Sequence, residues 1–133
     1  ASPRRLRMFA EVGRRVLPHS TAVGKVLLAE RADAAAILTR TGLPRRSEHT
    51  ITSIEAMLAE LDRVREQGYA MDFGEEELGV HCLAVPVRDG ARVIAAMSIS
   101  GPVDRIGALG REELAQGMRT IAAAFGTDVA PPR

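Results

Sequence analysis

Between Val80 and Pro102 the chain reads VHCLAVPVRDGARVIAAMSISGP, two apolar runs on either side of Asp89-Gly90. This pattern predicts an antiparallel hairpin, Val80 to Val87 against Val93 to Ser100, with its turn at Asp89-Gly90. Successive side chains on a strand point to opposite faces, so Met97 and Ile99 share one face and Ser98 and Ser100 the other. Two hydroxyls in an oily hairpin need hydrogen-bond partners if they are buried, and a small polar ligand is one source of them.

Shorter blocks of periodic apolar residues fill the rest of the chain. Leu6, Met8, Ala10 and Val12 alternate with more polar positions and predict a half-buried strand ending near Gly13. A helix is expected from Ala22 to Ala29, capped by Ser20 or Thr21, with Val23, Val26 and Leu27 turned to the core. Gly24 in its first turn predicts close approach by another backbone or a ligand. A second short helix runs from Asp33 to about Thr41 and stops at Gly42. Thr52-x-x-Glu55 reads as a capping box opening a longer helix, whose Ile54, Met57, Leu58, Leu61 and Val64 keep the helical period up to Gly68. Tyr69 to Phe73 reads as a strand, and GEEELG after it as a charged, solvated turn. A last helix is expected from Gly107 to about Phe125, with Leu114, Met118, Ile121, Ala122 and Phe125 on its packed stripe. Ala130 to Arg133 reads as a frayed tail. The order is a strand, three helices, three strands and a helix, which is an α+β chain.

Composition narrows the partners. At 133 residues, 46% hydrophobic and 26% charged, the chain fits one soluble domain able to bury a core. A net charge of +1 gives no electrostatic reason to bind nucleic acid or a membrane surface. Aromatic residues make up only 3%, too few for base-stacking platforms. No apolar run approaches the roughly 20 residues that span a bilayer. Cys82 is the one cysteine, so no internal disulfide forms and a cytoplasmic location is expected.

Three features carry candidate chemistry. The free N–H groups at the start of the Ala22 helix form a generic anion site, as they do in any capped helix. Ser98 and Ser100 can each donate and accept. Asp72, following apolar Ala70 and Met71, would need a donor if buried. Cys82 suggests an enzyme, but a nucleophilic thiol needs a base within reach. His81 is adjacent in sequence and therefore on the opposite strand face. A metal held by Cys82, His19, His81 and Asp72 lacks the tight ligand spacing of metal motifs.

The blocks LPHSTAVGKVLLAE, EQGYAMDFGEEELGVHCLAVPV and IAAMSISGPVDRI, in this order, resemble the effector-binding domain of IclR-type bacterial transcriptional regulators. The most specific block is the last, with Ser98, Ser100, Gly101, Pro102 and Arg105 in an SxSGPxxR pattern. The resemblance runs from about Arg7 to Phe125. It implies a GAF-like or profilin-like fold, a curved antiparallel sheet flanked by helices, with residues 1–133 as one partial effector-binding domain. It also implies that the helix-turn-helix which binds DNA lies outside this chain.

In such regulators a small organic acid sits over the sheet. Carried over by motif, its contacts fall on the backbone of Ala22 and Val23 and on the side chains of Asp72, Cys82, Ser98 and Ser100. Position 81, often arginine in relatives, is His81 here. The resemblance implies a ligand-sensing module of a cytoplasmic repressor or activator, assembling as a homodimer or homotetramer. It implies no cofactor, no metal and no membrane. Two rival readings remain: a GAF-like enzyme using Cys82, and a dimerisation module whose pocket is vestigial.

Overall fold

The computed structural model describes residues 17–102 and 110–129, with side chains up to position 124. The expected strand Leu6 to Val12 and the tail from Ala130 lie outside those residues. After a turn of 3-10 helix at Pro18–Ser20, the elements are α1 (Ala22–Ala29), α2 (Ala34–Thr41), α3 (Ile54–Gln67), β1 (Ala70–Phe73), β2 (Val80–Asp89), β3 (Arg92–Pro102) and α4 (Arg111–Val129). The strands form an antiparallel sheet in the order β1-β2-β3. Helices and an antiparallel sheet together make the α+β class expected from the sequence.

The hairpin forms where the alternation predicts it. Asp89 pairs with Arg92, so the loop is Gly90-Ala91, one residue later than expected. Gly90 holds a φ of +63°, which glycine adopts without a steric penalty. Val87 pairs with Ala95 and Arg88 with Val93, which leaves Ile94 as the extra residue of a bulge.

The sheet is packed on both faces. Ala70 and Ala84 join Ala22, Val26, Leu28, Leu38, Met57, Leu61 and Val64 in one core, against α1, α2 and α3. Tyr69, Met71, Leu83, Val85 and Val87 join Ala115, Met118 and Ala122 in a second core beneath α4. Met97 and Ile99 border the second core while Ala96 borders the first, as period-two alternation requires.

Local chemistry sets the helix ends. The Thr21 hydroxyl accepts the Gly24 N–H at 3.0 Å, so Thr21 caps α1. A Cβ on Gly24 would lie 2.3 Å from the Pro18 carbonyl oxygen, so the close approach is that of backbone. Gly68, in the left-handed region with φ +84°, ends α3 as expected.

Leu27 of α1 is 40% exposed rather than turned to the core, and four further expectations need correction. Ser53, rather than Thr52, caps α3 by accepting from the Ala56 N–H at 3.2 Å, so Glu55 falls one position short of a capping box. Helix α4 begins at Arg111 rather than Gly107, because Gly110 has a φ of +78° that an α-helix cannot continue. Ile121 is 61% exposed, and Ala115 takes the buried position on α4 instead. The Phe125 side chain lies outside the described residues.

The last of these corrections is the largest. GEEELG is no solvated turn at its start, because Glu75 is buried and its carboxylate meets the equally buried Lys25 ammonium at 2.8 Å. Lys25 also donates to Glu60 Oε2 at 2.9 Å and to the Met71 carbonyl at 2.7 Å. Among the described residues, no helix is long and apolar enough to cross a membrane.

Candidate functional site

Register brings the candidate polar residues into one line. Asp72 pairs with Cys82 on β2, and Cys82 pairs with Ser100 on β3. Directly paired residues on adjacent strands share a face, about 5 Å apart. Asp72, Cys82 and Ser100 therefore form a row crossing all three strands, on the face that α1 covers. Ser98 lies two residues along β3 on the same face, opposite Ala84. Val23 and Cys82 both border the core cluster that holds Ala22, so the start of α1 and the middle of the row pack against the same core.

Each member of the row has a distinct environment. Asp72 is 3% exposed and accepts the Glu75 N–H at 2.6 Å, so the donor its carboxylate needs comes from its own loop. Burial raises its pKa from 3.8 to about 6, against the opposing pull of that backbone hydrogen bond. The Cys82 sulfur lies 3.0 Å from the Ser100 hydroxyl. Burial pushes the Cys82 thiol upward, with the Ser100 hydrogen bond opposing and the Asp72 charge adding to it. A thiol held protonated is a poor nucleophile. Ser98 is exposed.

At the start of α1, Thr21 takes the N–H of Gly24 through its side chain and that of Lys25 through its carbonyl at 3.0 Å. The N–H groups of Ala22 and Val23 precede these in the first turn, where a helix leaves its donors for other acceptors. The arrangement offers two backbone donors on one side and hydroxyls, a thiol and a carboxyl on the other.

The rival residue sets are not assembled. His81 packs edge-on to Phe73 on the opposite face, with ring centroids 5.4 Å apart, and so has no route to the Cys82 thiol. His19 Nε2 lies 2.8 Å from the Pro44 carbonyl oxygen and is committed there. Among the described residues, no three histidine, cysteine or acidic side chains cluster with metal-ligand geometry.

Sequence reasoning missed the ion cluster behind the site. Lys25 joins Glu60 of α3 to Glu75 after β1, and the Ser20 hydroxyl donates to Glu76 in the same loop. Burial works against ionisation of Glu60, but the Lys25 ammonium and Arg63 guanidinium outweigh it and hold its pKa low. With Gln67, the cluster also satisfies the edge of β1 that no described strand pairs with. Lys25 caps the Met71 carbonyl, Glu75 Oε2 accepts the Phe73 N–H at 3.0 Å, and Gln67 Nε2 caps the Tyr69 carbonyl at 2.8 Å. A signal was available, since Lys25 lies three residues from both Ala22 and Leu28 and so faces inward with them.

Comparison with known proteins identifies the family. A family model described as "Bacterial transcriptional regulator IclR C-terminal" matches residues 1–126. The chain is similar to the HTH-type transcriptional regulator KdgR of Dickeya chrysanthemi, 45% identical over 120 residues, or 88% of this chain and 39% of that protein. It is 52% identical over 103 residues to KdgR of Escherichia coli strain K12, covering 75% of this chain and 39% of that one. Among solved structures, the transcriptional regulator YaiJ superposes with a TM-score of 0.85 at 35% identity, covering 94% of this chain and 72% of that one. The chain thus spans about two-fifths of the length of these curated relatives, which are regulators rather than enzymes.

Proposed function

Because this chain belongs to the IclR family of bacterial transcriptional regulators, as its C-terminal domain, we propose that residues 1–133 form one effector-binding domain that senses a small organic acid. The carboxylate lies against the N–H groups of Ala22 and Val23, where the helix dipole favours negative charge. Ser98, Ser100, Asp72 and Cys82 orient the remainder from the sheet. One observation carries the reading: the register that aligns Asp72, Cys82 and Ser100 beneath α1.

The bound acid shifts the domain between two conformations or assembly states by binding one better than the other. The domain associates as a homodimer or homotetramer in the cytoplasm. DNA is contacted through a helix-turn-helix outside the described residues, in keeping with the relatives' designation HTH-type. Sedimentation of the isolated chain checks the assembly, and a clean monomer at high concentration rejects it.

Calorimetric titration with a panel of short-chain carboxylates tests the site. Replacing Ser98 or Ser100 by Ala removes a hydrogen bond to a charged ligand, which costs about 1.5–3 kcal/mol, or roughly ten- to a hundredfold in affinity. If both variants bind the selected acid as well as wild type does, the acid sits elsewhere.

A further inference from the structure

A cavity of about 710 Å³ opens at the outer edge of β1. His49 and Ile51 of the connector, Arg63 of α3, Phe73, His81 and Arg111 surround it. Its volume lies in the range of small-molecule sites. Phe73 pairs with His81 in the β1–β2 register, one residue on from Asp72 and Cys82, so these two side chains project to the face away from the row. The cavity is distinct from the site proposed above and does not depend on that reading.

Its charges do not balance internally. Glu60 and Glu75 also face it, but both are committed to Lys25, at 2.9 and 2.8 Å. Glu60 additionally takes the Arg63 guanidinium at 2.6 Å. Two cations therefore offset two carboxylates, and Arg111 is left over. Its guanidinium lies 5.2 Å from the Phe73 ring centroid, and among the described residues it joins no ion pair. His81 stands edge-on to the same ring. Its pKa is lowered chiefly by burial, then by His49 and Arg111, with only Glu75 opposing. Cation-forming groups that repel one another around an exposed aromatic ring are stabilised by an anion that carries an apolar body.

We propose that this cavity binds a small organic carboxylate, its anionic end among Arg111, His49 and His81 and its apolar body against Phe73 and Ile51. Hexanoate serves as the probe and acetate as the control lacking an apolar tail. Titration of the intact chain, followed by amide NMR, should show saturable shifts at His49, Phe73, His81 and Arg111, with hexanoate binding tighter than acetate. Arg111→Gln, at an exposed helix start, should keep the folded spectrum and weaken hexanoate binding about tenfold, while Arg40→Gln, an exposed charge on α2 away from both sites, leaves it unchanged. Phe73→Ala should weaken hexanoate more than acetate. Absence of saturable shifts at these four residues overturns the proposal, as does wild-type affinity in Arg111→Gln. Shifts confined to Ala22, Val23, Cys82 and Ser100 also overturn it, while leaving the α1-face site intact.

Discussion

The two faces of the sheet are built to different rules. Beneath α4 the face is made of Tyr69, Met71, Leu83, Val85 and Val87, large side chains that are all buried and packed on one another. Beneath α1 the same strands present Ala70, Asp72, Cys82, Ala84, Ala96, Ser98 and Ser100. None of these is a large hydrophobe. The α4 face is held by dispersion and apolar burial, whereas the α1 face pairs its apolar core with a buried ammonium set between two carboxylates. Period-two alternation separates the two functions completely. A residue can serve the packed face without perturbing the polar one, because its neighbours in sequence point the other way.

The comparison breaks first at Lys25. Replacing it with Met should destabilise the chain by about 3–5 kcal/mol, since Glu60 and Glu75 would remain as buried charges without their cation. The loss should show as a lower denaturant midpoint. A midpoint within error of wild type would mean the cluster contributes nothing to the fold. The packed face is tested by Leu83→Ala, a fully buried site where the cost should be about 2–5 kcal/mol. That variant should leave affinity at the α1 face unchanged in the folded fraction. A parallel loss of affinity would show the two faces to be coupled.

What the sequence made legible follows the range of the interactions involved. The hairpin, α1, α2 and the end of α3 are determined by residues close in the chain, and alternation or a glycine at the right place reveals them. Thr52 and Ser53 have equivalent cap chemistry, so local sequence alone does not separate them as the cap of α3. The helical period puts Ile121 on the packed stripe, but α4 rests on the sheet through Ala115, Met118 and Ala122. The start of GEEELG departs from its local pattern for a deeper reason. Glu75 is buried by a partner fifty residues earlier, and no local pattern records that pairing. The row of Asp72, Cys82 and Ser100 was half legible. Alternation gives each residue its face, but only the pairing of three strands sets them side by side.

Asp72 provides a pH test of the polar face. Its pKa is raised from 3.8 to about 6 in the folded chain, chiefly by burial, so folding disfavours the ionised form. Its favourable contribution is complete below the unfolded value and is lost as pH rises through the folded one. Asp72→Asn keeps an acceptor for the Glu75 N–H and cannot ionise. The variant should gain on wild type as pH rises from 3.8 to about 6, and by about 3 kcal/mol above that window. Denaturant titrations across that range check it. A difference that does not vary with pH would show that Asp72 ionises as freely in the fold as outside it.

The smallest expected effects on folding belong to the serines. Ser98 is exposed, and an exposed substitution usually changes stability by no more than about 0.5 kcal/mol. Ser100 shares a hydrogen bond with Cys82, so Ser100→Ala should cost about 0.5–1.5 kcal/mol. Both changes are small beside Leu83→Ala, although Leu83 and Ser98 belong to adjacent pairs, Leu83 with Ile99 and Ser98 with Ala84, in the same strand ladder. If the polar face is kept for a ligand, removing its hydroxyls should hardly move the melting transition while lowering effector affinity. A serine that held the fold together would give the reverse, a large fall in melting temperature with unchanged affinity in the folded fraction. Melts and titrations of Ser98→Ala, Ser100→Ala and Leu83→Ala in parallel separate these outcomes. A loss of 2 kcal/mol or more at Ser98 would place that residue among the supports of the fold rather than at a site.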